Sequence, residues 1–226
     1  MQHMSIDVVS DVVCPWCYLG KARIEQAVDN LSDEVSVAIN WRPYQLNPDL
    51  PPEGVDHKAY LAEKLGGQDA VDRAHAMLSG LGREAGISFN FDAVKISPNT
   101  LDAHRLLRWA AIEGRAQQNI VADLLFKANF SEGRNVGDRS VLLDIAEKAG
   151  LDRAVVATLL ATDADKDSVA EEIAMAREMG ITGVPCFILD NKYAVMGAQS
   201  VDVLTEALRD LAKMKAEEGA SATATA

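Results

Sequence analysis

Cysteine is scarce in this chain: three residues in 226, at positions 14, 17 and 186. So few, and an odd number, exclude a disulfide scaffold and leave redox or metal chemistry as the reason for the cysteines that do occur. Positive charge is also in short supply. Lys and Arg total 22 against 34 Asp and Glu, a net charge of −12 that repels phosphate backbones and anionic lipid, so no nucleic acid and no membrane is expected as a partner. No apolar run approaches the roughly 20 residues needed to cross a bilayer, and the first residues lack the basic stretch followed by an apolar one that marks a secretory signal. A cytoplasmic location is the expectation. No Gly-rich phosphate loop precedes a helix, and the four histidines show no spacing from which a Ser-His-Asp or Cys-His arrangement could be asserted. Neither a nucleotide nor any other cofactor is expected.

What is present is an ordinary globular composition, 48% apolar and 25% charged, enough to bury a core. Met1-Gln2-His3 has the look of a cloning remnant ahead of Met4 and is set aside. Ile6-Asp7-Val8-Val9 reads as a strand that breaks at Ser10-Asp11, and a helix then opens at Cys14. Val35 through Trp41 alternates apolar and polar residues as a second strand, and Pro43, Pro48, Pro51 and Pro52 end that region. From about His57 to Gly180 the period becomes helical. Ala103, Leu106, Leu107, Ala110 and Ala111 form one apolar stripe; Val141, Leu142, Ile145, Ala146 and Ala149 form another. Asn99 with Asp102 resembles a capping box, Asp138 an N-cap, and Gly150 and Gly180 sit where helices end. A hairpin follows in Cys186–Leu189 and Tyr193–Met196, then an amphipathic helix carrying Val203, Leu204, Ala207, Leu208 and Leu211. The order β-α-β, helical block, β-β-α describes an α/β sheet in two halves, residues 4–50 and 181–215, separated by an all-helical insertion over 51–180. The Ala-, Ser- and Thr-rich tail, 217–226, reads as disordered.

The chemistry concentrates at Cys14-Pro15-Trp16-Cys17. At the start of a helix the first sulfur lies beside unsatisfied backbone N–H groups and the positive end of the helix dipole, which favours thiolate. Cys14 is thus the candidate nucleophile. Cys17, about one turn further in, is placed to displace a mixed disulfide, and Pro15 suits a first turn where its missing N–H costs nothing. Half of a zinc site is the competing reading, but the further ligands would have to come from Cys186, His57, His75 and His104, none at paired spacing. No metal is expected. Two ordinary buried cysteines are the plainest alternative. Trp16 could shield the sulfurs or meet substrate, or simply fill the core. His104 and Arg105 could reach the groove facing Cys14, although a solvated helical face is the commoner role for such residues. Asp11 is most simply a turn former that could also act on Cys14.

Ser10 through Gly20 resembles the active-site segment of the FrnE-type branch of the DsbA-like family, and Asn99 through Leu106, Gly183-Val184-Pro185 and Gly197-Ala198-Gln199 resemble its later landmarks. That resemblance implies a thioredoxin-like fold with a large helical insertion. It also implies Cys14 as nucleophile, Cys17 as resolver and Pro185 as a cis-proline against the sulfur pair, with the Val184 backbone offering an edge for an extended substrate. The chain departs from the family by having Trp rather than His inside the motif, so weaker oxidising power is expected. It departs again in Cys186, which is either a small core residue or a third thiol able to divert the disulfide.

Three functions compete. The first is disulfide reduction, exchange or isomerisation with protein or small-molecule thiols and disulfides, glutathione among them. The second is a glutathione-dependent isomerase or transferase like the related 2-hydroxychromene-2-carboxylate isomerases and kappa-class transferases, which typically carry serine at the first motif position. The third is a non-catalytic binding module. Retention of both Cys14 and Cys17 favours the first.

Overall fold

The computed structural model describes residues 2–224. Strand β1 (Gln2–Ser10) is buried on both faces at its end: Met4, Ile6 and Val8 point one way and Val9 the other, as a period of two requires. A turn closed by the Cys14 amide donating to the Asp11 carbonyl (3.0 Å) leads into helix α1 (Pro15–Asp29). Strand β2 (Val35–Pro43) returns parallel to β1, paired from Gln2↔Val35 to Ser10↔Pro43. Gln2 and His3, set aside in the sequence, therefore belong to the first strand; Met1 lies outside the described residues. The backbone of Gln2 and His3 pairs with Val35 and Ser36 whatever side chains they carry.

Beyond the prolines come β3 (Val55–Asp56), α2 (His57–Leu65), α3 (Gln68–Glu84), a short 3-10 turn (Phe91–Ala93) and β4 (Ile96–Ser97). Helices α4 (Leu101–Glu113), α5 (Arg115–Phe130), α6 (Arg139–Lys148), α7 (Arg153–Leu160) and α8 (Lys166–Glu178) follow. The chain closes with β5 (Cys186–Leu189), β6 (Tyr193–Met196) and α9 (Val201–Ala224). The sheet order is β2-β1-β5-β6, with β5 antiparallel to both β1 and β6. This is the α/β, thioredoxin-like fold with a helical insertion. The insertion is not all helix, because β3 and β4 pair antiparallel at Val55↔Ser97 and Asp56↔Ile96.

One apolar cluster joins Met4, Ile6 and Val8 of β1, Phe187 and Leu189 of β5, and Ile24 of α1 to the helices of the insertion and to α9. A smaller one on the other sheet face gathers Val9, Tyr44, Ala176, Ile181 and Cys186. Asp138 caps α6 by accepting from the Ser140 amide, and Gly150 and Gly180 take positive φ just past α6 and α8. The capping box does not form. Asn99 accepts from the Leu101 amide (3.0 Å) and ties down the proline-rich loop through the Pro48 and Leu50 carbonyls, while Asp102 turns to Arg105 (2.7 Å). Helix α9 is continuous through Ala224, so the segment from Glu217 that composition reads as disordered is helical up to there; Thr225 and Ala226 lie outside the described residues.

Candidate active site

Cys14 is the N-cap of α1, with extended backbone (φ −92°, ψ 113°), and Pro15 holds the first helical position. A residue at that position has its side chain beside the first-turn amides, which have no intrahelical partner. The Cys14 carbonyl already accepts from the Cys17 and Tyr18 amides (3.0 and 3.2 Å), so the backbone fixes where its sulfur sits. The Cys14 thiol faces the Val184 carbonyl at 3.7 Å, and the Val184–Pro185 peptide bond is cis. Segments 170 residues apart thus meet at one sulfur. Gly20, one turn beyond Cys17, makes this close approach feasible: a Cβ there would lie 2.9 Å from Pro185 Cγ and 3.1 Å from Phe187 Cζ.

Cys14 is 4% exposed and Cys17 is fully buried. Burial, reinforced by the neighbouring Cys14 thiol, pushes the Cys17 thiol well up; the Ser10 hydroxyl and the Asp11 backbone oppose the shift. Cys17 therefore holds its proton at neutral pH until something removes it. Trp16 is half-buried, packing against the large core while lining the same cavity as Cys14. Cys186 pairs with Val9 and lies in the small cluster on the far face of the sheet, whereas its neighbour Phe187 points to the α1 side. The two faces separate the third thiol from the pair.

His104 and Arg105 are not on a solvated face. His104 is 2% exposed and Arg105 fully buried, because α4 is packed on nearly every side between β2, α5, α6 and α8. Arg105 donates to the carbonyls of Leu159, Thr162 and Ala164, which pins the α7–α8 connection. His104 Nε2 lies 2.9 Å from the Tyr44 carbonyl and 3.4 Å from the Asp11 carboxylate. A carbonyl only accepts, so Nε2 carries the proton. Asp11, also fully buried, accepts from the Leu46 amide (2.8 Å). It is more than a turn former, since it joins the turn before Cys14 to α4 and to the loop after β2.

A cavity of about 320 Å³ opens beside the pair, lined by Cys14, Pro15 and Trp16 on one side and by α2, α3 and the β4 region on the other. His57, Tyr60 and Lys64 of α2, His75 of α3, Ser97 of β4, Asn47 and Asn129 supply its polar groups. None of these was singled out for this site in the sequence. From the sequence, His57 and His75 come forward only as possible zinc ligands; among the described residues no cluster of three or more metal-ligating side chains occurs. Their signal is their position on the two helices that return toward the motif, which periodicity alone does not reveal. No described helix is long and apolar enough to cross a membrane.

This fold, with a paired-cysteine motif at the head of α1, is that of a family: the chain belongs to the DSBA-like thioredoxin domain family, whose model matches residues 5–209. It is 30% identical over 215 residues to the protein YwbO of Bacillus subtilis (strain 168), covering 93% of this chain and 98% of that one. It is similar to the crystal structure of a probable DsbA oxidoreductase of Streptomyces coelicolor, with 33% identity, a TM-score of 0.81 and coverage of 92% and 89% of the two chains. A 2-hydroxychromene-2-carboxylate isomerase shares the fold at 19% identity, with a TM-score of 0.72 over 94% and 98% of the chains.

Proposed function

We propose that the protein is a thiol-disulfide oxidoreductase of the FrnE type, with Cys14 as the attacking sulfur and Cys17 as the resolving one. The observation that carries this reading is the asymmetry of the pair: Cys14 caps α1 and lines the cavity, while Cys17 is sealed behind it. The Cys14 thiolate attacks one sulfur of a substrate disulfide, forming a mixed disulfide and releasing the first substrate thiol. Cys17 then loses its proton and attacks Cys14 Sγ, releasing the second thiol and leaving the Cys14–Cys17 disulfide. Two electrons pass to the substrate, and a thiol reductant restores the pair. Pro15, Trp16, Val184 and Pro185 shape the approach to Cys14, and the Val184 carbonyl beside its sulfur supports a role in holding the substrate. Partners are protein or small-molecule thiols and disulfides, glutathione included. In a reducing, cytoplasmic setting, which the low cysteine content fits, the thiol pool drives reduction or isomerisation.

The test is the order of events. Cys17→Ser should accumulate a mixed disulfide through Cys14 under oxidised glutathione, seen as a mass increase removed by dithiothreitol, and Cys14→Ser should not. An isomerase would activate glutathione without trapping it. Turnover of a chromene carboxylate by the wild type, with no adduct on Cys17→Ser, would sink the redox reading.

A further inference from the structure

The cavity beside Cys14 has a lining of distinct character. Its walls are mostly apolar, with Val13, Leu46, Leu61, Leu78, Val94 and Ile96 among them. No aspartate or glutamate contributes to it, in a chain that carries 34. The ionisable groups other than Cys14 and the Tyr60 phenol are Lys64, His57 and His75, and burial disfavours the charged form of both imidazoles, which leaves the Lys64 ammonium as the charge of the lining. Lys64 is held by neutral groups, the Asn47 side-chain oxygen and the Tyr60 hydroxyl, with its ammonium 5.4 Å from the centre of the Tyr60 ring. This arrangement steadies the charge without neutralising it. Asn129, 3% exposed, also lines the cavity, and its buried side-chain oxygen has no hydrogen-bond partner among the described residues.

We propose that this cavity binds a low-molecular-weight disulfide or thiol that joins an apolar body to a carboxylate, and that Lys64 receives the carboxylate while Cys14 meets the sulfur. The inference rests on the redox reading and names its substrate class. The volume lies at the lower end of small-molecule sites, and of a folded client only a side chain or two could enter it. In the exchange the anionic disulfide takes two electrons and becomes two thiols as Cys14 and Cys17 become a disulfide. Dithiothreitol returns the electrons in the assay.

Two aromatic disulfides separate charge from shape: dithiobis(nitrobenzoate), an anion, and dithiodipyridine, which is neutral at pH 8. For the full chain, kcat/KM for each is divided by the rate of the same disulfide with dithiothreitol alone, which removes intrinsic reactivity. The anion should be favoured by about tenfold, the size of one charge-assisted contact. Lys64→Gln should remove that preference through KM, with kcat and the neutral substrate changed less than twofold, and Lys64→Arg should restore it. Lys64 is exposed, and an unchanged urea-unfolding midpoint for Lys64→Gln separates loss of the charge from loss of fold. Oxidised glutathione, anionic but without an apolar body, should fall about tenfold below the aromatic anion on the same scale. Equal normalised values for the two aromatics, a Lys64→Gln variant indistinguishable from wild type, or parity with oxidised glutathione would overturn the inference while leaving thiol exchange intact. Failure of exchange with every disulfide, with no adduct on Cys17→Ser, would instead overturn the redox reading beneath it.

Discussion

Helices α1 and α2 both line the cavity beside Cys14, yet they are held by different means. Helix α1 buries Cys17, Leu19, Gly20, Lys21, Ile24 and Ala27 against the sheet, α5 and α9, whereas α2 buries no residue. Helix α3 buries only Val71, Leu78 and Gly82 over 17 residues. The wall that carries the sulfurs is part of the core. The opposite wall is a light structure resting on it, and local stability follows buried apolar contact. In the proposed exchange the chemistry, which needs fixed geometry, sits on the first, and discrimination, which tolerates movement, on the second.

Truncation on each side puts this contrast to the test. Phe126 is fully buried behind α1, stacked on Tyr18 at 5.2 Å and edge-on to Trp41 at 5.9 Å. Phe126→Ala should cost about 3–5 kcal/mol in urea unfolding, and Leu61→Ala on α2 less than about 1.5. Similar costs would break the comparison. A smaller effect is expected at Cys186, fully buried on the far sheet face. Cys186→Ala should cost about 1 kcal/mol for the lost packing while leaving kcat/KM within about twofold. A tenfold loss of activity would bring the third thiol into the cycle.

The smallest effect is confined to the light wall. Burial lowers the imidazoles of His57 and His75 from the ordinary value of 6.5, and for His57 the nearness of His75 adds to it. A histidine whose value is lower in the folded chain takes up its proton more readily when that region opens. Its contribution is therefore complete above about pH 6.5 and is lost as pH falls below that value. Hydrogen-exchange protection factors in α2 and α3 should drop a few-fold between pH 7.5 and 5.5, with α1 unchanged. Equal loss in all three helices would show that the histidines do not act locally.

The sulfur-bearing wall was also the part that could be read from the sequence. The strand before Cys14 and the hairpin 186–196 follow from short β-type runs bounded by turn residues, and the helix start at Cys14-Pro15 from where proline is tolerated; in the insertion, the stripe on α6 follows from a period of 3.6. The other side was legible only as helix. Strands of two residues, such as β3 and β4, have no period to detect. Helix α4 misled in a different way. Its stripe predicted a buried Ala111, which is exposed, and left His104 and Arg105 outside, because a helix enclosed by neighbours buries polar residues wherever carbonyls and carboxylates wait to pair them. The Asp11–His104 contact joins residues 93 apart in sequence, and no local pattern encodes it.

The β3–β4 pair has a practical consequence. By placing Val55 opposite Ser97 and Asp56 opposite Ile96, it brings the entrance and exit of the 57–95 excursion side by side. That excursion is a closed loop on a finished scaffold. Segments whose ends already meet can be exchanged with little disturbance to what lies beneath them. The stretch carrying His57, Tyr60, Lys64 and His75 is thus a natural cassette: swapping it between relatives would change the lining of the cavity while the Cys14–Cys17 pair stays where it is.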